Sequence, residues 1–372
     1  MTAEFADVEV RRARTTALLL GDHAHASPSS VAAWVGALQA QDYSSGAWSL
    51  GIRIPGATAR SVDEAFASGE VLRTWPMRGT IHVVALEDAR WMLALTGTRT
   101  LAATETRRRE VGLEQPGLAR AVDALVGAMA GRRRISRAHA MTTIGEAGID
   151  VRGQAGYHVL VYAALIGAIC IGPNEGATQT IVRLDEWATR QRELSGLDAL
   201  TELAWRYVRS HGPVTAAEFA GWSGLTLTSA RAGIAANGDR VTSAAFRGTE
   251  TWLSREAADE IRCGLPPGGT LALPGFDEFI LATRTGPSTF RASTCPPSSP
   301  GATACSGRRS RSTAQSSRPG HARIEPDGST SRSSRSHQSR IDTRRSSVGL
   351  WSATRGSAAR YWVSGRTRWP DH

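Results

Sequence analysis

Lysine is absent from the 372 residues; all 44 basic side chains are arginine. Together with the abundance of Ala and Gly, this reflects a GC-rich coding sequence rather than a mechanism. Cysteine is scarce: Cys170, Cys263, Cys295 and Cys305, with no CxxC spacing. That argues against a zinc or disulfide framework and fits a reducing, cytoplasmic setting. The first residues carry Glu4, Asp7 and Glu9 rather than the basic stretch of a signal peptide. The longest apolar run, "VLVYAALIGAICIG", has 14 residues. A bilayer needs about 20, so this run suits a buried core helix and no membrane association is expected. Walker, HExxH, GxSxG and dinucleotide fingerprints are missing. Asp22, His23 and His25 in "DHAHA" lie in a Gly/Ala loop with no further ligand run, so neither a metal nor another cofactor is expected.

Acidic and basic residues nearly balance over most of the chain. Residues 1–290 hold 29 Arg against 30 Asp and Glu, whereas residues 291–372 hold 15 against four. The overall charge of +10 therefore comes from the tail and does not identify a polyanionic partner for the rest. That tail has 19 Ser and only five Ile, Leu or Val, with no helical or strand period. It cannot bury enough apolar surface to offset its ordering entropy, so disorder is expected over 286–372. Two explanations stay open: a basic tail that binds nucleic acid without specificity, or translation of GC-rich DNA out of frame after a break near residues 284–291.

Before the break one pattern occurs three times: a helix stopped by Gly, a connector, and a second helix opened by a capping residue. In "LDALTELAWRYVRSHG", Leu200, Leu203, Ala204, Tyr207 and Val208 form one apolar stripe. Arg206 and Arg209 sit at its C-terminal end, where they complement the helix dipole. "VTAAEFAGWSG" then opens on Thr215 and Glu218, a capping box behind Val214. "GLARAVDALVGAMAG" with its stop at Gly131, followed by Ser136 in "ISRAHAMTTIGEAGI", is the second instance. In the first, a helix near 8–20 stops at Gly21, and Ser27 with Pro28 opens the next. Alternating or Gly-broken strand regions follow at about 70–86, 168–184 and 241–253. The pattern predicts a mainly α protein with small β-wings, built as three tandem winged-helix motifs over 1–110, 111–195 and 196–285. Such units most often bind DNA. Their third helices do not suit major-groove reading. "YHVLVYAALIGAIC" is apolar nearly all round, and "LTLTSARAGIAA" offers only Arg231.

Two stretches carry candidate chemistry. In "GALQAQDYSSG", Gln39 and Gln41 flank Ala40 and precede Asp42. On a continuing helix the two amides would point in nearly opposite directions. They share a face only if the chain leaves helical geometry at about residue 39. The plainer alternative is a solvated helix end. In "RTWPMRGTIHVVALED", Arg78, Thr80 and His82 alternate with Gly79, Ile81 and Val83, which predicts one polar and one apolar strand face. An ordinary half-buried wing strand has the same pattern. Asp277 and Glu278 in "LPGFDEFILA" read first as partners of a structural ion pair, with a catalytic role as the alternative.

Taken together, "ALQAQD", "LRTWPMRGTIHVV" followed by "ED", "GPVTAAEFAGWSGL" and "LPGFDEFIL" resemble the bacterial tandem winged-helix family that includes the azinomycin-resistance (AlkZ-type) DNA glycosylases. The resemblance covers residues about 8–283. It implies three winged-helix units around a basic channel for duplex DNA, and monofunctional excision of N7-alkylated purines with unhooking of interstrand crosslinks. It implies that Gln39 and Gln41 are catalytic. Asp42 is a candidate supporting base, and Arg73, Arg78 and His82 are candidates for contact with phosphate or lesion. The implied partner is double-stranded DNA carrying alkylated or crosslinked purines, bound by a monomer. In the family an ordered, strand-containing segment follows "PGFDEFILA", where this chain turns to Ser and Arg. A non-catalytic DNA-binding protein or regulator, and a winged-helix interaction module, are the competing readings.

Overall fold

The computed structural model describes residues 4–21, 23, 25–264 and 271–282. The expectations for Asp22 and for the 286–372 tail fall outside these residues. Among the described residues no helix is long and apolar enough to cross a membrane.

A first helix, α1 (Asp7–Ala17), precedes three repeats of one element order: helix, short strand, helix, helix, strand, strand. The first repeat runs α2 (Pro28–Val35), β1 (Leu38–Gln39), α3 (Tyr43–Gly51), α4 (Ala59–Ser68), β2 (Val71–Met77) and β3 (Thr80–Ala85). Helices α5 (Ala89–Ala103) and α6 (Glu105–Glu110) lead to the second: α7 (Gln115–Ala128), β4 (Ile135–Ser136), α8 (Arg137–Glu146), α9 (Ala155–Leu165), β5 (Ile169–Ile171) and β6 (Thr180–Arg183). After α10 (Leu184–Trp187) the third has α11 (Gly196–His211), α12 (Ala216–Ser223), α13 (Leu227–Ala235), β7 (Val241–Phe246) and β8 (Thr249–Ser254). Its short strand is reduced to a bridge between Val214 and Trp252. Helices α14 (Arg255–Cys263) and α15 (Glu278–Ala282) follow.

Local chemistry explains most of these boundaries. Ser27, Ser136 and Thr215 cap α2, α8 and α12 by accepting from the backbone N–H of Ser30, His139 and Glu218. Glu218 returns the bond to the Thr215 N–H at 2.7 Å and closes the capping box. Arg78 and Gly79, at φ 53° and 70°, make the two-residue turn between β2 and β3. Positive φ at both positions matches the right-handed twist of the flanking strands. Arg78 is thus the hairpin tip rather than a strand residue.

Three features differ from the sequence reading. In the first repeat the leading helix is α2, not the helix near 8–20. Helix α1 instead packs on α11 and α14. The strands of the first two repeats are not separate wings. They join, through Arg73 opposite Ile171, into one antiparallel six-stranded sheet of order β1-β3-β2-β5-β6-β4. Arg206 and Arg209 do not serve their own helix end. Arg206 is buried and grips Asp88 with both terminal nitrogens, at 2.6 and 3.1 Å, and Arg209 donates to the carbonyls of Ala33 and Trp34 at the end of α2.

The first three strands separate two cores. Leu38, Val71, Val83 and Ala85 face the core of the first repeat, with Val31, Leu50 and Phe66. Leu72 and Val84 face α5, α11 and α12, where Tyr207, Phe219 and Trp222 pack. Alternation along each strand sends successive side chains to opposite cores.

Candidate functional site

Helix α2 ends at Gly36, whose φ of 92° is open to glycine at little cost. The chain therefore uncoils two to three residues before Gln39, earlier than expected. Leu38 then pairs with Val83 and Gln39 with His82, and Ala40 N–H donates to the Ile81 carbonyl at 2.8 Å. Over this extended stretch Leu38 and Ala40 point into the core of the first repeat. Gln39 consequently leaves from the opposite face, in register with His82, and Gln41 lies in the bend that follows. Gln39 is half-buried and Gln41 exposed.

The two carboxamides are held differently. Gln41 Oε1 accepts the Ile81 N–H at 3.1 Å, standing in for a ladder carbonyl. Its oxygen is committed and its NH2 group is left to face outward. The Gln39 carboxamide makes no hydrogen bond among the described residues, whereas its backbone N–H donates to Glu278 Oε1 at 2.9 Å. Asp42 is the N-cap of α3 and accepts the Ser45 N–H at 2.7 Å. Helix α3 approaches the strand closely: a Cβ on Gly46 would lie 2.4 Å from Ala40 Cβ.

His82 and Thr74 occupy the same cross-strand row as Gln39. Both are fully buried, so the polar strip does not form a solvent-facing side. His82 Nδ1 lies 2.9 Å from the Thr80 carbonyl, which requires the proton on Nδ1. Its Nε2, like Thr74 Oγ1, has no hydrogen-bond partner among the described residues. Burial, reinforced by the Arg78 charge, lowers the His82 pKa to about 4 against a partial offset from Glu278, so the imidazole is neutral near pH 7. Arg78 is exposed and its Nη1 lies 3.3 Å from the Gly221 carbonyl. Arg73 is elsewhere. It sits in the Leu38–Val83 row, on the other face of the sheet, and is 4% exposed. There it donates to Asn174 at 2.9 Å and stacks 4.6 Å over the Tyr43 ring. Burial lowers its pKa to about 10, well above neutrality.

The adjacent carboxylates of "PGFDE" do separate work. Asp277 takes both Arg53 terminal nitrogens at 2.7 and 2.9 Å and the Ser49 hydroxyl at 2.6 Å, a buried ion pair. Glu278 is equally buried but has no arginine ligand among the described residues. Its Oε1 accepts from Gln39 and its Oε2 from Trp222 Nε1, each at 2.9 Å, with His211 Nε2 3.5 Å from Oε2. Burial pushes the Glu278 carboxyl up. The His211 contact, with smaller contributions from the neighbouring His82 and the Gln39 N–H, outweighs this and holds it below the usual range. The sequence placed the two acids side by side but gave no sign of this second partnership, because Glu278 meets Gln39 across 239 residues.

The four stretches that carry the resemblance thus converge: Gln39 from the first, His82 from the second, Trp222 from the third and Glu278 from the fourth. A model for the family described as "DNA glycosylase AlkZ-like" matches residues 32–290. The chain belongs to the AlkZ-like DNA glycosylase family. The interstrand DNA cross-link repair glycosylase of Streptomyces sahachiroi is 27% identical over 279 residues, covering 70% of this chain and 72% of that protein. The structure of Streptomyces sahachiroi DNA glycosylase AlkZ aligns with a TM-score of 0.64 at 22% identity, over 75% of this chain and 78% of that one. That structural likeness shows the fold of the family; the family itself rests on the sequence match. Among the described residues no cluster of His, Cys, Asp or Glu is arranged to hold a metal ion.

Proposed function

We propose that this chain is a monofunctional DNA glycosylase that hydrolyses the N-glycosidic bond of N7-alkylated purines in double-stranded DNA, including purines tied into interstrand crosslinks. The observation that supports the reading is the end of α2 at Gly36 and the pairing of Leu38–Gln39 with β3, which sets the Gln39 side chain beside His82 with Gln41 two residues on, in the following bend. Family membership and the named activity of the Streptomyces relative support it. We also read the three repeats, which begin at α2, α7 and α11, as winged-helix units. The shared order of helix, short strand, two helices and strand pair supports this.

The chemistry needs little acid help. An N7-alkylated purine is cationic and leaves as a neutral base when the bond from sugar C1′ to N9 breaks. The C1′ cation then takes a water, which loses a proton to solvent. Gln39, whose carboxamide has no hydrogen-bond partner among the described residues, orients that water and presents its oxygen dipole to the developing positive charge. Gln41, its oxygen tied to Ile81, offers its NH2 to a sugar or phosphate oxygen. Neutral amides act here by position and dipole rather than as bases. A sequence without lysine has no ε-amine to form a Schiff base with the opened sugar, which supports hydrolysis without strand cleavage. Arg78, exposed at the hairpin tip, is the best-placed of the three sequence candidates to meet a phosphate, whereas Arg73 and His82 are buried. Asp42, already used as a helix cap, is a weak choice for a base.

The test is single-turnover release of 7-methylguanine from methylated duplex DNA, with enzyme in excess. Gln39→Ala and Gln41→Ala should each slow release by about 10²-fold, the usual loss for one preorganised polar group. Asp42→Asn retains a capping oxygen and should stay near the parent rate. No release by the parent at high excess rejects the proposal. If salt-dependent binding and a footprint persist without release, a non-catalytic DNA-binding protein is the better description.

A further inference from the structure

We propose that Glu278 is a positioning residue for Gln39: its carboxylate closes the free edge of the Gln-x-Gln strand and fixes the direction in which the Gln39 side chain leaves the backbone. The inference rests on the glycosylase reading of the glutamine pair.

Among the described residues, strand β1 lies at the edge of the six-stranded sheet and pairs only with β3. In an antiparallel edge strand, alternate N–H groups point away from the sheet and stay unpaired unless something covers them. The Gln39 N–H is such a group, and Glu278 Oε1 covers it at 2.9 Å. The second oxygen holds Trp222 Nε1 at 2.9 Å, on α12 of the third repeat. One side chain thereby ties the strand to a helix 183 residues further along the sequence. Only an ionised carboxylate serves here, because it presents an acceptor to each of two donors. A carboxamide would turn its NH2 against one of them.

A structural acid in this segment has the alternative shown next door. Asp277 is neutralised by Arg53, whereas Glu278 stays ionised with backbone N–H, indole N–H and imidazole around it. A two-residue strand has little of its own to hold register, so this contact is a large share of what fixes the Gln39 backbone. Because the Gln39 carboxamide has no partner of its own among the described residues, its direction follows from the backbone and the surrounding packing. The carboxylate also lays a fixed negative charge behind a residue proposed to face a cationic base and sugar.

The experiment uses the full chain and two variants. Glu278→Gln keeps the size and removes the charge. Glu278→Asp keeps the charge and withdraws the oxygens by roughly one bond length, about 1.5 Å. Three quantities are measured: hydrogen exchange of the Gln39 amide without DNA, affinity for an abasic duplex, and single-turnover release of 7-methylguanine. Glu278→Gln should exchange the Gln39 amide faster and lower the release rate about 10- to 100-fold, the cost of misplacing a reacting group by about 1 Å. Duplex affinity should stay within about twofold. Glu278→Asp should move the same way by a smaller factor, and it keeps the test intact if the first variant does not fold. A purely structural tie predicts lower melting temperature and affinity with an unchanged rate in the bound complex. That result, or parental exchange at Gln39, overturns the proposal. If the parent protein releases no base, the glycosylase reading falls and exchange alone decides whether Glu278 fixes the Gln39 backbone: acceleration keeps it, and unchanged protection ends it.

Discussion

A buried neutral histidine beside the glutamine strand makes this fold sensitive to mild acid. His82 is fully enclosed, spends its one proton on the Thr80 carbonyl, and has a pKa of about 4. In the unfolded chain the same group titrates near 6.5. Between these values the unfolded state binds a proton that the folded state refuses, so stability rises with pH through the window and is lost on acidification. The slope is about 1.4 kcal/mol per pH unit. From pH 7.5 to 4.5 the loss assigned to His82 is about 2.5 kcal/mol, or about 5 °C in melting temperature for a chain of this size. His25 and His158 are also lowered by burial and contribute to the total acid response. The decisive quantity is therefore the difference between the parent and His82→Gln, which keeps a donor for Thr80 and cannot titrate. Melting temperatures by dye binding or circular dichroism at half-unit steps give both curves. The variant should start lower at pH 7.5 and fall less steeply, with the gap closing by about 5 °C at pH 4.5. The carboxylates held below the ordinary range, Asp277 and Glu278, begin to lose their contribution only at the bottom of this window, as pH falls to their unfolded values, and most of that loss lies below it. Parallel curves for parent and variant would refute the argument that His82 is buried and neutral.

Two further outcomes follow from close packing. Gly46→Ala sets a methyl 2.4 Å from Ala40 Cβ, so α3 or the glutamine strand must shift. Destabilisation of about 1–3 kcal/mol is expected, with base release falling more than duplex affinity, measured by urea unfolding and single-turnover kinetics. Asp277→Ala strands the Arg53 guanidinium in the core and should cost about 3–5 kcal/mol, while Arg53→Met with Asp277→Leu should recover most of it. Unfolding midpoints of the three proteins that leave the double variant as unstable as the single would show that the pair supplies more than mutual neutralisation.

Sequence and tertiary structure divided this molecule along the range of the forces involved. The caps at Ser27, Ser136 and Thr215 and the strand regions near 70–86, 168–184 and 241–253 were legible because each depends on residues within a few positions, whereas the turn at Arg78–Gly79 was hidden by an alternation that reads through it as one strand. The need for the chain to uncoil ahead of Gln41 was legible for the same reason, although Gly36 does it earlier than the pattern of apolar residues indicated. Helix α1 was placed in the first repeat because its pattern alone resembles any leading helix; packing against α11 and α14 sets it apart. Side-chain destinations were not legible. Arg206 in search of a dipole and Arg206 bound to Asp88 have one sequence signature, since a charge finds its partner through space. Arg73 and His82, polar in a list of residues, became interior groups once a sheet was covered on both faces. The sequence by itself determined three helix-and-strand repeats and the condition under which Gln39 and Gln41 could share a face, that the helix before them must end. Only the tertiary structure decided that Glu278 takes the backbone N–H of Gln39, because no local rule links groups 239 residues apart that meet only when the first and third repeats close on each other.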